Sequence, residues 1–194
     1  MSHHYRDLIS LFDQTFYQEF NTRLIKGGDE PIYLPANESC DFHQVVFARG
    51  FYASALHEIA HWCIAGKERR LKVDFGYWYI PDGRNEQQQK RFEQVEISPQ
   101  AIEWAFNVVA GKKFNVSSDN LDGFEADTKG FKRSVYQQVM QYLAIGFPPR
   151  AQMFINALAK FYGNSSLLTA HDFHLENDFD MEESQQVESL YESV

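Results

Sequence analysis

Only two cysteines, Cys40 and Cys63, occur in 194 residues. That scarcity excludes a disulfide framework, a four-cysteine zinc site and a cysteine-held iron–sulfur cluster. No apolar run approaches the roughly 20 residues that cross a bilayer, so neither a spanning helix nor a membrane partner is expected. The opening residues, Met1-Ser-His-His-Tyr-Arg-Asp7, lack the basic-then-apolar order of a secretion signal, and a cytoplasmic location is expected. A glycine fingerprint for flavin or nicotinamide is also missing. Basic charge is scarce in one place above all: residues 171–194 hold eight acidic side chains and no Lys or Arg. The overall charge of −9 therefore belongs to that end, with 19 acidic against 18 basic residues elsewhere. This balance argues against DNA as a partner and predicts a solvated, disordered acidic tail over 166–194, following one domain over 1–165.

Aromatic residues are plentiful, at 15% with 17 Phe and 10 Tyr, enough to build a packed interior. Tyr5, Leu8, Ile9, Phe12, Phe16 and Phe20 recur at helical spacing, which predicts a helix over 5–20 with one buried stripe. Short strands are expected at 32–34 and 45–47. A strongly apolar helix is expected over 51–65, stopped by Gly66 with basic residues at its carboxyl end. Residues 73–80 read as an aromatic strand followed by a Pro81-Asp-Gly83 turn. A helix over 86–97 is followed by a second one that Ser98-Pro99 opens, then a polar loop over 111–126. Two further helices, at about 128–144 and 150–162, complete an α+β domain: mostly helical, with a small sheet.

The chemistry resides in the apolar helix. His57, Glu58 and His61 spell H-E-x-x-H, and positions four apart share a helix face, so both imidazoles can point at one ion, as on a zincin-like metal helix. Glu58 lies beside such an ion and can take a proton from a bound water. The metzincin continuation is excluded, since Ile64 stands where its glycine belongs and Lys67 where its third histidine belongs. A downstream carboxylate is then the expected third ligand. Glu96, between apolar Val95 and Ile97, ranks first, Glu93 second, and Glu103 reads as a group behind the ligands. Two histidines and one carboxylate suit either zinc, giving a metallopeptidase-like hydrolase with Glu58 as general base, or ferrous iron, giving an oxygen-activating enzyme.

Phe51-Tyr-Ala-Ser-Ala-Leu-His-Glu-Ile-Ala-His-Trp-Cys-Ile-Ala-Gly66 resembles the metal motif of the bacterial elongation factor P hydroxylases. Val73-Asp-Phe-Gly-Tyr-Trp-Tyr79, Pro81-Asp-Gly-Arg84 and Val95-Glu-Ile-Ser-Pro-Gln100 resemble companion motifs of that family, and the similarity covers roughly residues 20–162. The resemblance implies a hydroxylase of the β-lysylated lysine of elongation factor P, using dioxygen as cosubstrate at one divalent metal ion, iron before zinc. It implies His57, His61 and Glu96 as ligands, with Glu58 as the adjacent acid/base group. A cationic substrate side chain calls for carboxylate and aromatic faces, and Asp74, Tyr77 and Trp78 are the candidates to supply them.

Overall fold

The computed structural model describes residues 2–76, 83–118, 120, 124 and 127–175. The chain begins as the expected helix, but with a wider turn inside it. Helix α1 (Tyr5–Phe12) passes into a π-helical stretch (Asp13–Tyr17) and returns to α geometry in α2 (Gln18–Phe20). The wide turn leaves Phe12 and Phe16 together in the core, their rings 5.0 Å apart. Asn21 ends the helix in a left-handed conformation (φ 47°), which Asn tolerates better than most residues. The chain can therefore turn straight into strand β1 (Thr22–Lys26), a strand that the sequence reading did not foresee.

Strands β2 (Ile32–Leu34) and β3 (His43–Phe47) complete a three-stranded sheet in the order β1-β3-β2. The central strand β3 runs parallel to β1, with Leu24 opposite Val45, and antiparallel to β2, with Tyr33 opposite the same Val45. Leu24, Tyr33, Val45 and Phe47 are buried. The sheet thus presents an apolar side to the helices, and β3 delivers the chain through a short turn at Arg49 and Gly50, both at positive φ, into helix α3 (Tyr52–Ile64).

Helix α3 is buried along most of its length, through Ala55, Leu56, Ile59, Ala60, Trp62 and Cys63. Arg150 closes its carboxyl end: one guanidinium nitrogen donates to the carbonyls of Trp62 (2.8 Å), Cys63 (3.0 Å) and Ala65 (2.6 Å). The guanidinium carbon also stands 4.7 Å from the Trp62 ring centroid. A cation at this terminus satisfies carbonyls that have no partner within the helix and opposes the negative end of its dipole.

Helix α4 (Glu86–Val109) replaces the two helices expected on either side of Ser98-Pro99. Asn85 starts it with a reciprocal cap: its side chain accepts the Gln88 N–H at 3.0 Å, and the Gln88 side chain accepts the Asn85 N–H at 3.0 Å. Pro99 sits buried in the interior, where it removes a hydrogen bond that the ladder would otherwise make. Helical propensity alone would break the helix there. The packing of Ala101, Ile102, Ala105 and Phe106 into the core outweighs it. Beyond Val109, the side chains of His3 and Asn164 donate to the Ala110 and Val109 carbonyls at 2.6 and 2.9 Å.

Helices α5 (Thr128–Ile145) and α6 (Pro149–Tyr162) pack against α4. The core centres on an aromatic group in which Phe12, Phe16, Trp62, Phe106 and Phe154 are all fully buried. Two further expectations differ from the structure. Val73–Gly76 is a short 3-10 turn rather than the start of a strand, with Asp74 at a φ of 51° that no strand residue adopts; residues 77–82 lie outside the described region. Phe173, eight residues past the expected domain end, is buried edge-on against Trp104 at 5.6 Å, so packing continues into the segment read as tail. Among the described residues the architecture is mostly helical with one small sheet, and no helix is long and apolar enough to cross a membrane.

Candidate metal centre

His57 and His61 lie one turn apart on α3 and face α4, where a polar row interrupts the apolar packing. Gln89, Glu93, Glu96, Gln100, Glu103 and Asn107 follow one another at alternating steps of four and three, so they share one face of the helix. Five of them are buried and Glu93 is half-buried. Buried polar groups are costly unless they find partners, and each of these finds one.

The two histidines present their Nε2 atoms to each other at 3.1 Å. Glu96, only 4% exposed, completes the triangle: its Oε1 is 3.1 Å from His61 Nε2 and its Oε2 is 3.5 Å from His57 Nε2. Donors each about 2.1 Å from a shared ion are separated by about 3 Å, so these separations suit a single small cation. His57, His61 and Glu96 could hold a metal ion, and they form the one such cluster found among the described residues.

Partners behind the triangle fix its orientation. His57 Nδ1 meets Glu103 Oε2 at 2.9 Å. With Glu103 ionised, Nδ1 carries the proton and Nε2 keeps its lone pair for a metal, the arrangement that orients metal-bound histidines in general. Glu96 Oε2 accepts a hydrogen bond from Gln100 Nε2 at 3.2 Å, and Gln100 in turn clasps the backbone of Ser117.

The electrostatics agree with the geometry. Burial pulls the His57 imidazole down, yet Glu96 and Glu103 outweigh it and push His57 up to about 10. Burial pushes Glu96 up, but His61 and His57 hold it down at about 2. Both shifts describe carboxylates that demand a positive charge between them, which a proton meets partly and a divalent cation meets more fully.

Glu58, half-buried beside His57, is held above the usual carboxylate range. Burial is the main cause; His57 and His61 oppose it, while Glu96 and Asp74 reinforce it. Asp74 is likewise raised by burial and pulled back by His61, so its carboxyl lies within electrostatic reach of Glu58 and His61. Glu93, the second-ranked third ligand, is engaged elsewhere and accepts a hydrogen bond from Gln89 at 2.8 Å. Tyr77 and Trp78 lie outside the described residues. Cys63 is buried away from the triangle, its thiol pushed well up by burial.

Gln100 enters the sequence reading only as the last residue of a family motif, with no role of its own. The signal that could have found it was the four-three spacing of polar residues on an otherwise buried helix, which marks a row that needs mutual partners.

A mostly helical domain that brings two histidines and a carboxylate together has, in fold and site, a cluster that could hold a single metal ion. The family is defined by comparison. The model of the Elongation factor P hydroxylase family matches residues 11–173, and this chain belongs to that family. It is also 56% identical over 162 residues to the elongation factor P lysine hydroxylase of Haemophilus influenzae, a match covering 84% of this chain and 91% of that relative.

Proposed function

We propose that this chain hydroxylates the β-lysylated lysine of elongation factor P in the cytoplasm, at a metal ion held by His57, His61 and Glu96. The observation that supports the substrate is the 56% identity to a named elongation factor P lysine hydroxylase over nearly the whole of that relative. The donor cluster, with the two Nε2 atoms 3.1 Å apart and Glu96 placing Oε1 3.1 Å from His61 and Oε2 3.5 Å from His57, supports the chemistry. Membership in a hydroxylase family favours this reading over a zinc hydrolase with the same three ligands.

When bound, a divalent metal, iron in this reading, activates dioxygen so that one oxygen atom enters a C–H bond of the lysine side chain and the other leaves as water, with two electrons drawn from an external reductant. Three protein ligands leave coordination positions free for that chemistry. The residues of the chain supply the rest. Glu103 holds the His57 proton on Nδ1 and directs Nε2 to the metal. Glu58, protonated more readily than an ordinary glutamate because it is buried, is placed to move a proton beside the reacting centre. Asp74 attracts the cationic side chain of the substrate, and Tyr77 and Trp78, which follow it in the chain, supply aromatic faces to the same cation.

The test is mass spectrometry of the lysylated peptide of elongation factor P, purified from cells with and without this protein. One added oxygen is expected with the wild-type chain and none with a His57→Ala variant. An unchanged peptide mass in cells that express metal-loaded protein would overturn the assignment.

A further inference from the structure

Gln100 makes more specific contacts than a core glutamine needs for burial. It lies one turn beyond Glu96 on α4 and is 1% exposed. Its Oε1 accepts the Ser117 N–H at 2.9 Å, and its Nε2 donates to the Ser117 carbonyl at 2.7 Å. This double clasp on one residue's backbone determines which way the amide faces, since a flipped amide would set donor against donor and acceptor against acceptor. The second Nε2 hydrogen is then committed to Glu96 Oε2, at 3.2 Å. Glu96 cannot turn freely, because one of its oxygens is tied to a group that is itself tied to the backbone of the following loop. Its other oxygen, Oε1, is the one that comes within 3.1 Å of His61.

We infer that Gln100 is a positioning residue: by holding Oε2 it keeps the Glu96 carboxylate turned with Oε1 toward His61 and Oε2 toward His57, and through Ser117 it makes the loop after α4 part of the metal site. The inference rests on the reading that His57, His61 and Glu96 bind a metal. It deepens that reading by giving the carboxylate ligand a fixed donor on Oε2 while Oε1, the oxygen nearer His61, is not held by Gln100. Neighbouring contacts strengthen the same loop. Gln89, farther up the polar row, donates to the Ser118 carbonyl at 2.9 Å, and the Asn120 side chain clasps the backbone of Arg84. Gln100 is the member of this set that touches Glu96.

The experiment uses the full-length chain, stripped of metal and titrated with Co(II). Affinity is read by competition with a chelating dye, and ligand geometry by the visible absorption of the bound Co(II). Two variants are compared with the wild type. Gln100→Met keeps the volume and removes every hydrogen bond; Gln100→Asn keeps the amide but is too short to reach Glu96 and Ser117 together. Both should bind Co(II) about 10- to 100-fold more weakly, the loss usual for groups that orient metal ligands, and should show an altered absorption spectrum. If Gln100→Met does not fold, Gln100→Asn carries the test. A folded variant with the wild-type affinity and spectrum would overturn the inference, because a residue that only packs the core would leave both unchanged. A wild-type chain that takes up no Co(II) would overturn the metal reading itself, and this inference with it.

Discussion

On one side of α3, Trp62 lies among Phe12, Phe16 and Phe20, with ring centroids 4.7 to 5.5 Å away. On the other side, His57 and His61 face Glu96 and Glu103 at 2.9 to 3.5 Å. Both belong to the same helix, the aromatic side fully buried at Trp62 and the histidine side half-buried, yet they depend on different properties. The aromatic side is held by area and shape, which several residue combinations could supply. The polar side is held by single atoms, each needed by a particular neighbour. A substitution that keeps volume should therefore be mild on the first side and severe on the second.

The largest expected effect lies on the aromatic side. Trp62→Ala should cost about 3–5 kcal/mol of stability, as large truncations in cores do. Trp62→Phe should recover most of that loss, which denaturant unfolding can measure. Failure of Phe to recover it would mean that this side also depends on individual atoms, and the contrast would collapse.

The polar side should give the reverse pattern. Glu103→Leu, close in volume, should weaken metal affinity about 10- to 100-fold, equivalent to about 1.4–2.8 kcal/mol. Glu103→Gln, which keeps an acceptor for His57 Nδ1, should restore part of it. Dye competition reads both. Equal affinity in all three proteins would remove Glu103 from any orienting role.

The gentlest contrast is with pH, because one titrating group changes stability by no more than about 1.4 kcal/mol per pH unit. His57 is raised to about 10 in the folded, metal-free chain. Its contribution is therefore complete below its ordinary value of 6.5 and is lost as pH climbs toward 10. Glu96, lowered to about 2, contributes above its ordinary value of 4.5 and loses that contribution as pH falls. Thermal melts of metal-free protein should accordingly be most favourable between about pH 4.5 and 6.5. Metal-loaded protein should keep its stability above pH 6.5, since the metal then takes the place of the proton. A flat profile for the metal-free chain would show that the two carboxylates do not bear on His57 as their positions require.

Much of this contrast was legible in the sequence. The period of the aromatic residues near the amino end located the first helix, and H-E-x-x-H spacing put His57 and His61 on one face. Apolar neighbours do not explain why Glu96 turns inward, since Val95 is 39% exposed. Residues adjacent in a helix point about 100° apart and say little about one another. What turns Glu96 inward is its place in the polar row seven residues after Gln89 and seven before Glu103. Pro99 read as a helix start because proline lacks a donor and fixes φ, and only the docked packing of α4 shows that the helix continues through it. The strand expected at 73–80 followed from β-branched and aromatic composition, which describes a half-buried surface as readily as it does a strand. The left-handed conformation of Asp74 leaves no sequence signal.

Arg150 carries a further consequence, which concerns the order in which the chain is made. Every residue of the donor triangle, and Glu103 behind it, has been synthesised by residue 103, but the donors that satisfy the last carbonyls of α3 come from residue 150. So does the wall formed by Phe154, Ile155 and Leu158. A nascent chain halted before α6 would contain the whole metal motif with the end of its helix unsatisfied and its aromatic side uncovered. Under the proposed metal reading, a product truncated before α6 is expected to be a poor scavenger of metal despite holding all three candidate ligands.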